Sequence, residues 1–151
     1  MQSAGSFLFY YNPKKQETIG LSLHQPWQTY ANGVYSAMRF IETPIFTKEL
    51  KNLLGDEEYR ALQLALLFRP EQGALIPGSG GLRKLRWSQK GKGKRSGCRV
   101  IYYWDEKQET FYMLLVYIKS KQEDITPKQM KVLAKQVREE LKWKKRILIT
   151  L

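Results

Sequence analysis

Apolar residues in the first half of the chain recur at two periods. Phe46, Leu50, Leu53 and Leu54 fall at helical spacing, and Gly55 closes that run. Asp56 is placed to cap a second helix, with Glu57 and Glu58 at its positive end. Tyr59, Leu62 and Leu66 supply that helix's buried stripe, Ala65 permits close packing, and Pro70 stops it. Ahead of this helical hairpin, Arg39 to Ile45 reads as a short strand, with Pro44 marking an edge position or the strand end.

The second half alternates instead. In Leu82 to Trp87, Leu85 and Trp87 share one face with Arg83, while Lys84 and Arg86 share the other. With Leu85 and Trp87 turned to the core, Lys84 and Arg86 project together, about 7 Å apart, a spacing suited to the oxygens of one phosphodiester. Cys98–Trp104 and Thr110–Lys119 carry apolar residues on both parities and so read as central strands, joined by the turn Asp105–Glu109. Thr126-Pro127-Lys128-Gln129 predicts a helix start: a Thr cap, Pro at the first helical position and Gln completing a capping box. Met130, Leu133, Ala134, Val137 and Leu141 continue it. The layout predicts an α+β domain: an antiparallel sheet of about four strands, an N-terminal helical hairpin and a C-terminal helix, with the helices on one face.

Residues 1–37 lack a clean period. Ser6 to Tyr11 is apolar, but the run is short and no basic residue precedes it, unlike a secretory signal. This segment is read as an extension, residues 38–142 as the functional domain and 143–151 as a basic-apolar tail. The tail's options are extending the helix, docking on a sheet edge or resting on a membrane.

Charge sharpens the picture. The chain has 151 residues and a formal net charge of +12. Arg83, Lys84, Arg86, Lys90, Lys92, Lys94, Arg95 and Arg99 crowd one stretch, and no acid stands between Glu71 and Asp105. Such a field beside Trp, Tyr and Gly points to a polyanion. Ser88 to Gly97 reads as a basic loop able to wrap a nucleic-acid backbone, and Tyr102, Tyr103, Trp104 and Tyr112 are either base-stacking groups or core. Chemistry of other kinds is thinly supplied. One Cys (Cys98) and one His (His24, in a loop segment) make neither a zinc site nor a nucleophile-His pair, and they suit a reducing, cytoplasmic setting. Glu71 to Gly81 is Gly-rich but lacks the Gly-Lys-Ser/Thr ending of a phosphate-binding loop, and reads as a mobile connection. There is no run of eighteen apolar residues to span a membrane.

ETPIFTKEL, DEEYRALQ, RPEQGALIPGSGGLRKLRW, KGKGKRSGCRVIYYW, FYMLLVY and ITPKQMKVLAKQVREEL together resemble a HigB-type toxin of the RelE/ParE superfamily over about residues 38–142. The resemblance implies a toxin that cuts messenger RNA in the ribosomal A site without a metal or other cofactor. In such a reaction the RNA's own 2′-hydroxyl attacks the adjacent phosphate. It also implies silencing by a helix-turn-helix antitoxin of HigA type. The superfamily's basic site positions fall on Lys84, Arg86 and Arg99. Lys84 is then the expected base, with Arg83 and Arg86 favouring its neutral form, and Arg86 and Arg99 are expected to hold the phosphate in its transition state. Arg83, Lys90, Lys92, Lys94, Arg95, Lys119 and Lys121 are expected RNA contacts. After the last strand YIKSKQEDIT lacks the arginine and tyrosine of the best-known RelE proteins: Lys119 or Lys121 is left to replace the arginine, and nothing there replaces the tyrosine. Two rival readings are a ParE-like gyrase inhibitor and a non-catalytic RNA-binding module.

Overall fold

The computed structural model describes residues 8–12, 17–21, 36–88, 97–122 and 124–150, with side chains from 38 to 142 within that set. In chain order the elements are β1 (Leu8–Asn12), β2 (Glu17–Leu21), β3 (Ser36–Glu42), α1 (Pro44–Leu53), α2 (Asp56–Phe68), β4 (Ala74–Leu75), β5 (Arg83–Trp87), β6 (Cys98–Asp105), β7 (Thr110–Ile118) and α3 (Pro127–Thr150).

The α+β class and the element order are as expected, but the sheet is larger and mixed. Seven strands lie in the order β2-β1-β3-β7-β6-β5-β4. Residues 8–12 and 17–21, ahead of the expected start at 38, pair with each other, and β1 pairs with β3. Ala74 and Leu75, expected as loop, pair with Lys84 and Arg83. β3 and β7 run parallel, with Phe40 opposite Phe111. That contact joins the two ends of the domain, so no local pattern announces it.

The helices cover both faces rather than one. Phe46, Leu50, Leu54, Tyr59, Leu62 and Leu66 of the helical hairpin pack on Leu85, Val100, Tyr102, Phe111 and Met113. Leu133, Ala134 and Val137 of α3 pack with Ile101, Tyr112, Leu114, Leu115 and Tyr117. Strands apolar on both parities need cover on both sides, and three layers provide it.

A bulge separates the two halves of β7. Ile101 pairs with Leu115 but Tyr102 pairs with Met113, which leaves Leu114 as the extra residue. Thr43 seals the irregularity. Its N–H donates to Met113 O at 3.0 Å and its hydroxyl donates to Leu114 O at 2.7 Å. The same Oγ1 accepts from Phe46 N and so caps α1. Pro44 accordingly opens a helix instead of ending a strand, its missing N–H costing nothing at that position. Similarly, Gly55 and not Asp56 occupies the cap of α2, and the Glu58 carboxylate accepts from Gly55 N. Buried Glu42 is satisfied by hydroxyl donors, Tyr59 at 2.6 Å and Thr47 at 2.6 Å. Burial, then the Glu42 charge, pushes the Tyr59 hydroxyl well above its usual range.

The Gly-rich connection is a locked turn, not a mobile one. Ser79 Oγ donates to Ile76 O at 2.6 Å and accepts from Leu82 N at 3.0 Å. Gly81 adopts φ +108°, where a Cβ would stand 3.0 Å from the Tyr103 ring. The aromatics are structural. Tyr102 and Tyr112 are fully buried, and Trp104 lies against Phe111 with ring centroids 4.3 Å apart. At the other end of the domain Thr126 and Gln129 form the expected reciprocal capping box, at 3.1 and 3.0 Å, and α3 runs on through the tail to Thr150. His24 lies outside the described residues.

Candidate nucleic-acid interface

Three adjacent strands position the basic groups. On β5, alternation sends Leu85 into the hairpin-side core and leaves Lys84 and Arg86 on the side of α3. Arg86 is the register partner of Arg99, and Arg99 is the register partner of Tyr117. Arg86, Arg99 and Tyr117 therefore form one row across β5, β6 and β7. Directly opposed Cβ atoms in such a row sit about 5 Å apart. Arg86 is exposed. Arg99 is 8% exposed, and neither has a carboxylate partner among the described residues.

Lys84 lies next in line on β5, and its amine is engaged. Lys84 Nζ stands 3.0 Å from both oxygens of Asp124, in the loop that leads into α3. Asp124 also accepts from Ile125 N at 2.8 Å and from the Tyr117 hydroxyl at 3.4 Å. The Lys84 hydrogen bond is the largest cause holding the Asp124 carboxyl below its usual value. Burial is the main reason the Tyr117 hydroxyl is pushed up to about 12; the Asp124 charge adds to it and Arg99 opposes it. At neutral pH Tyr117 is a proton donor, and Asp124 is a carboxylate too weakly basic to draw a proton efficiently.

Two expectations change here. Lys84 faces a carboxylate, and Arg83, expected beside it, lies on the other side of the strand. Arg83 is also not free for RNA. It points to the hairpin side, where it donates to Gly73 O at 2.9 Å, Glu71 O at 3.0 Å and the Glu71 carboxylate at 3.0 Å. It fastens the segment before β4 to β5. Lys119 and Lys121 are exposed in the turn after β7. Lys90, Lys92, Lys94 and Arg95 lie outside the described residues.

Tyr117 and Asp124 are the site residues that the sequence reading missed. Strict alternation from Phe111 and Met113 would have placed Tyr117 on the hairpin side, and the bulge at Leu114 reverses that parity. Asp124 sits in a polar turn with no period at all. Cys98 contributes no chemistry: it is buried, and burial pushes its thiol up to about 11. Among the described residues, no group of three or more His, Cys, Asp or Glu side chains lies together as metal ligands would, and no helix is long and apolar enough to cross a membrane.

This arrangement can hold an anion between two guanidinium groups, with an ammonium and a neutral phenol beside it. A family model described as the RelE toxin of the RelE/RelB toxin–antitoxin system matches residues 69–151, which contain every residue of this row. The chain belongs to the RelE toxin family. Among solved structures, a mutant form of the E. coli toxin RelE in its free state is similar at 18% identity and a TM-score of 0.41, covering 56% of this chain and 85% of that one.

Proposed function

We propose that this toxin is of HigB type and is an endoribonuclease that cuts messenger RNA in the A site of the ribosome. The observation that carries the reading is the Arg86–Arg99–Tyr117 row on a sheet rigid enough to hold it. The RNA 2′-hydroxyl loses its proton to solvent and attacks the adjacent phosphorus while the bond to the 5′-oxygen breaks, leaving a 2′,3′-cyclic phosphate and a 5′-hydroxyl. Arg86 and Arg99 hold the non-bridging oxygens as negative charge builds on them. Lys84, steadied by Asp124, is a third cation facing the phosphate and not the base. Tyr117 gives its proton to the departing 5′-oxygen. No described residue is a strong base, so the reaction leans on in-line placement of the 2′-hydroxyl by the ribosome, a contribution that can be large. Cationic side chains neutralise the transition state, and no metal is assigned a role.

The inhibitor is an antitoxin of helix-turn-helix, HigA type, with acidic groups facing this +12 chain and association rates that fall with salt. The setting is the cytoplasm, where translation occurs. Brief expression followed by mapping of messenger RNA 5′ ends tests the reading. Cuts inside translated codons, each bearing a 5′-hydroxyl, are expected. Intact RNA with induced DNA damage would point instead to gyrase, and intact RNA without damage to binding alone.

A further inference from the structure

Helix α3 carries a second basic feature, separate from the sheet row. Lys128, Lys131, Lys135, Arg138 and Lys142 recur at alternating steps of three and four residues, and all five are exposed. At 100° per residue they fall on one flank about 80° wide, distinct from the Met130, Leu133, Ala134, Val137 and Leu141 stripe that packs on the sheet. Lys128 and Lys142 are separated by about 21 Å along the axis. None of the five has a carboxylate partner among the described residues.

The arrangement is unfavourable for the helix itself. Each successive pair is a like-charge neighbour at three or four residues, which destabilises a helix. Lys128 and Lys131 also stand at the positive end of the macrodipole, and the first turn holds no acidic residue. A merely solvated helix face usually mixes signs, whereas five cations here meet one exposed acid, Glu139, at the edge of the flank. A protein-binding face is usually rich in aromatics and poor in lysine. Single-stranded RNA is gripped by basic grooves with aromatic platforms, and this flank has none. What remains is a regular line of charges on a rigid rod, a match for the phosphate backbone of a duplex.

We infer that the α3 flank docks on duplex RNA, apart from the strand that is cut. This rests on the nuclease reading for its place in function: on a ribosome, duplex RNA surrounds the messenger, and the stripe begins four residues from Asp124. Its recognition would be of backbone and shape, not of sequence.

The test uses the full chain and two probes, an RNA duplex of about 20 base pairs and purified bacterial ribosomes. The triple variant Lys131→Gln, Lys135→Gln, Arg138→Gln should bind both probes at least about tenfold more weakly at low salt. Its slope of log affinity against log salt should be shallower by about two to three. Its melting temperature should match that of the parent, and Lys131→Arg with Lys135→Arg should bind like the parent. Arg86→Ala should bind the duplex unchanged, which separates this surface from the sheet row. Unaltered duplex binding by the triple variant overturns the inference, as does an equal loss in Arg86→Ala. So does a variant that loses only antitoxin binding, which would make the partner an acidic protein. Failure of the nuclease reading would appear elsewhere, as the absence of mapped cuts, and would leave these affinities untouched.

Discussion

Replacing Arg86 with Ala separates catalysis from folding more cleanly than any other change at the site. Arg86 is exposed and has no carboxylate partner among the described residues, so its loss should alter stability by no more than about 0.5 kcal/mol. As one of two guanidinium groups on the developing charge, it should matter far more to rate. Removing one such preorganised donor costs about 3 to 4 kcal/mol in comparable sites, or about 10²- to 10³-fold. The assay is single-turnover cleavage on programmed ribosomes with toxin in excess, alongside a thermal melt. Arg99→Ala should lose a similar factor but also stability, since Arg99 is 8% exposed between Arg86 and Tyr117. The double variant should lose less than the product of the two, because both groups hold one phosphate. An Arg86→Ala protein that melts normally and cleaves at the parental rate would refute the assigned role of the row.

Three further outcomes are expected. Tyr117→Phe should cut about 10²- to 10⁴-fold more slowly with little change in stability, because its hydroxyl makes only a 3.4 Å contact; parental cleavage should show no downturn from neutral pH to about 9, below the hydroxyl's value of about 12. Asp124→Asn should remove a stabilisation that depends on pH. The folded carboxyl is held below the 3.8 of the free group, so the difference from the parent is full above that value and fades as pH falls through the folded one; paired urea melts at pH 7 and pH 3 measure it. Tyr59→Phe should leave Glu42 Oε1 without its 2.6 Å donor, costing about 1 to 3 kcal/mol, visible as a fall in melting temperature.

Local chemistry was readable from the sequence wherever it followed a short period or a short motif. LRKLRW placed Lys84 and Arg86 on one face by alternation alone, and Thr126-Pro127-Lys128-Gln129 announced its own capping box. The stripe of Phe46 and Leu50 and that of Tyr59, Leu62 and Leu66 found both hairpin helices. What escaped depended on distance or irregularity. The parallel pairing of β3 with β7 spans the whole domain. The extra residue Leu114 hid which way Tyr117 faces. Arg83 differs from Lys84 only by one step of a strand, yet it is spent on Glu71 and Gly73 O. The partner of Lys84 came from a turn 40 residues away, which no spacing rule connects to it.

The β3–β7 contact also sets a timetable. Thr43 must wait for Leu114, 71 residues later, before its hydroxyl finds an acceptor, and Arg99 must wait for Tyr117. While the chain is being made, the hairpin helices have only part of the surface on which they pack, and the row of groups is incomplete. The row is therefore a late product of synthesis: a nascent chain cannot complete it until Tyr117 has left the ribosome and paired with β6.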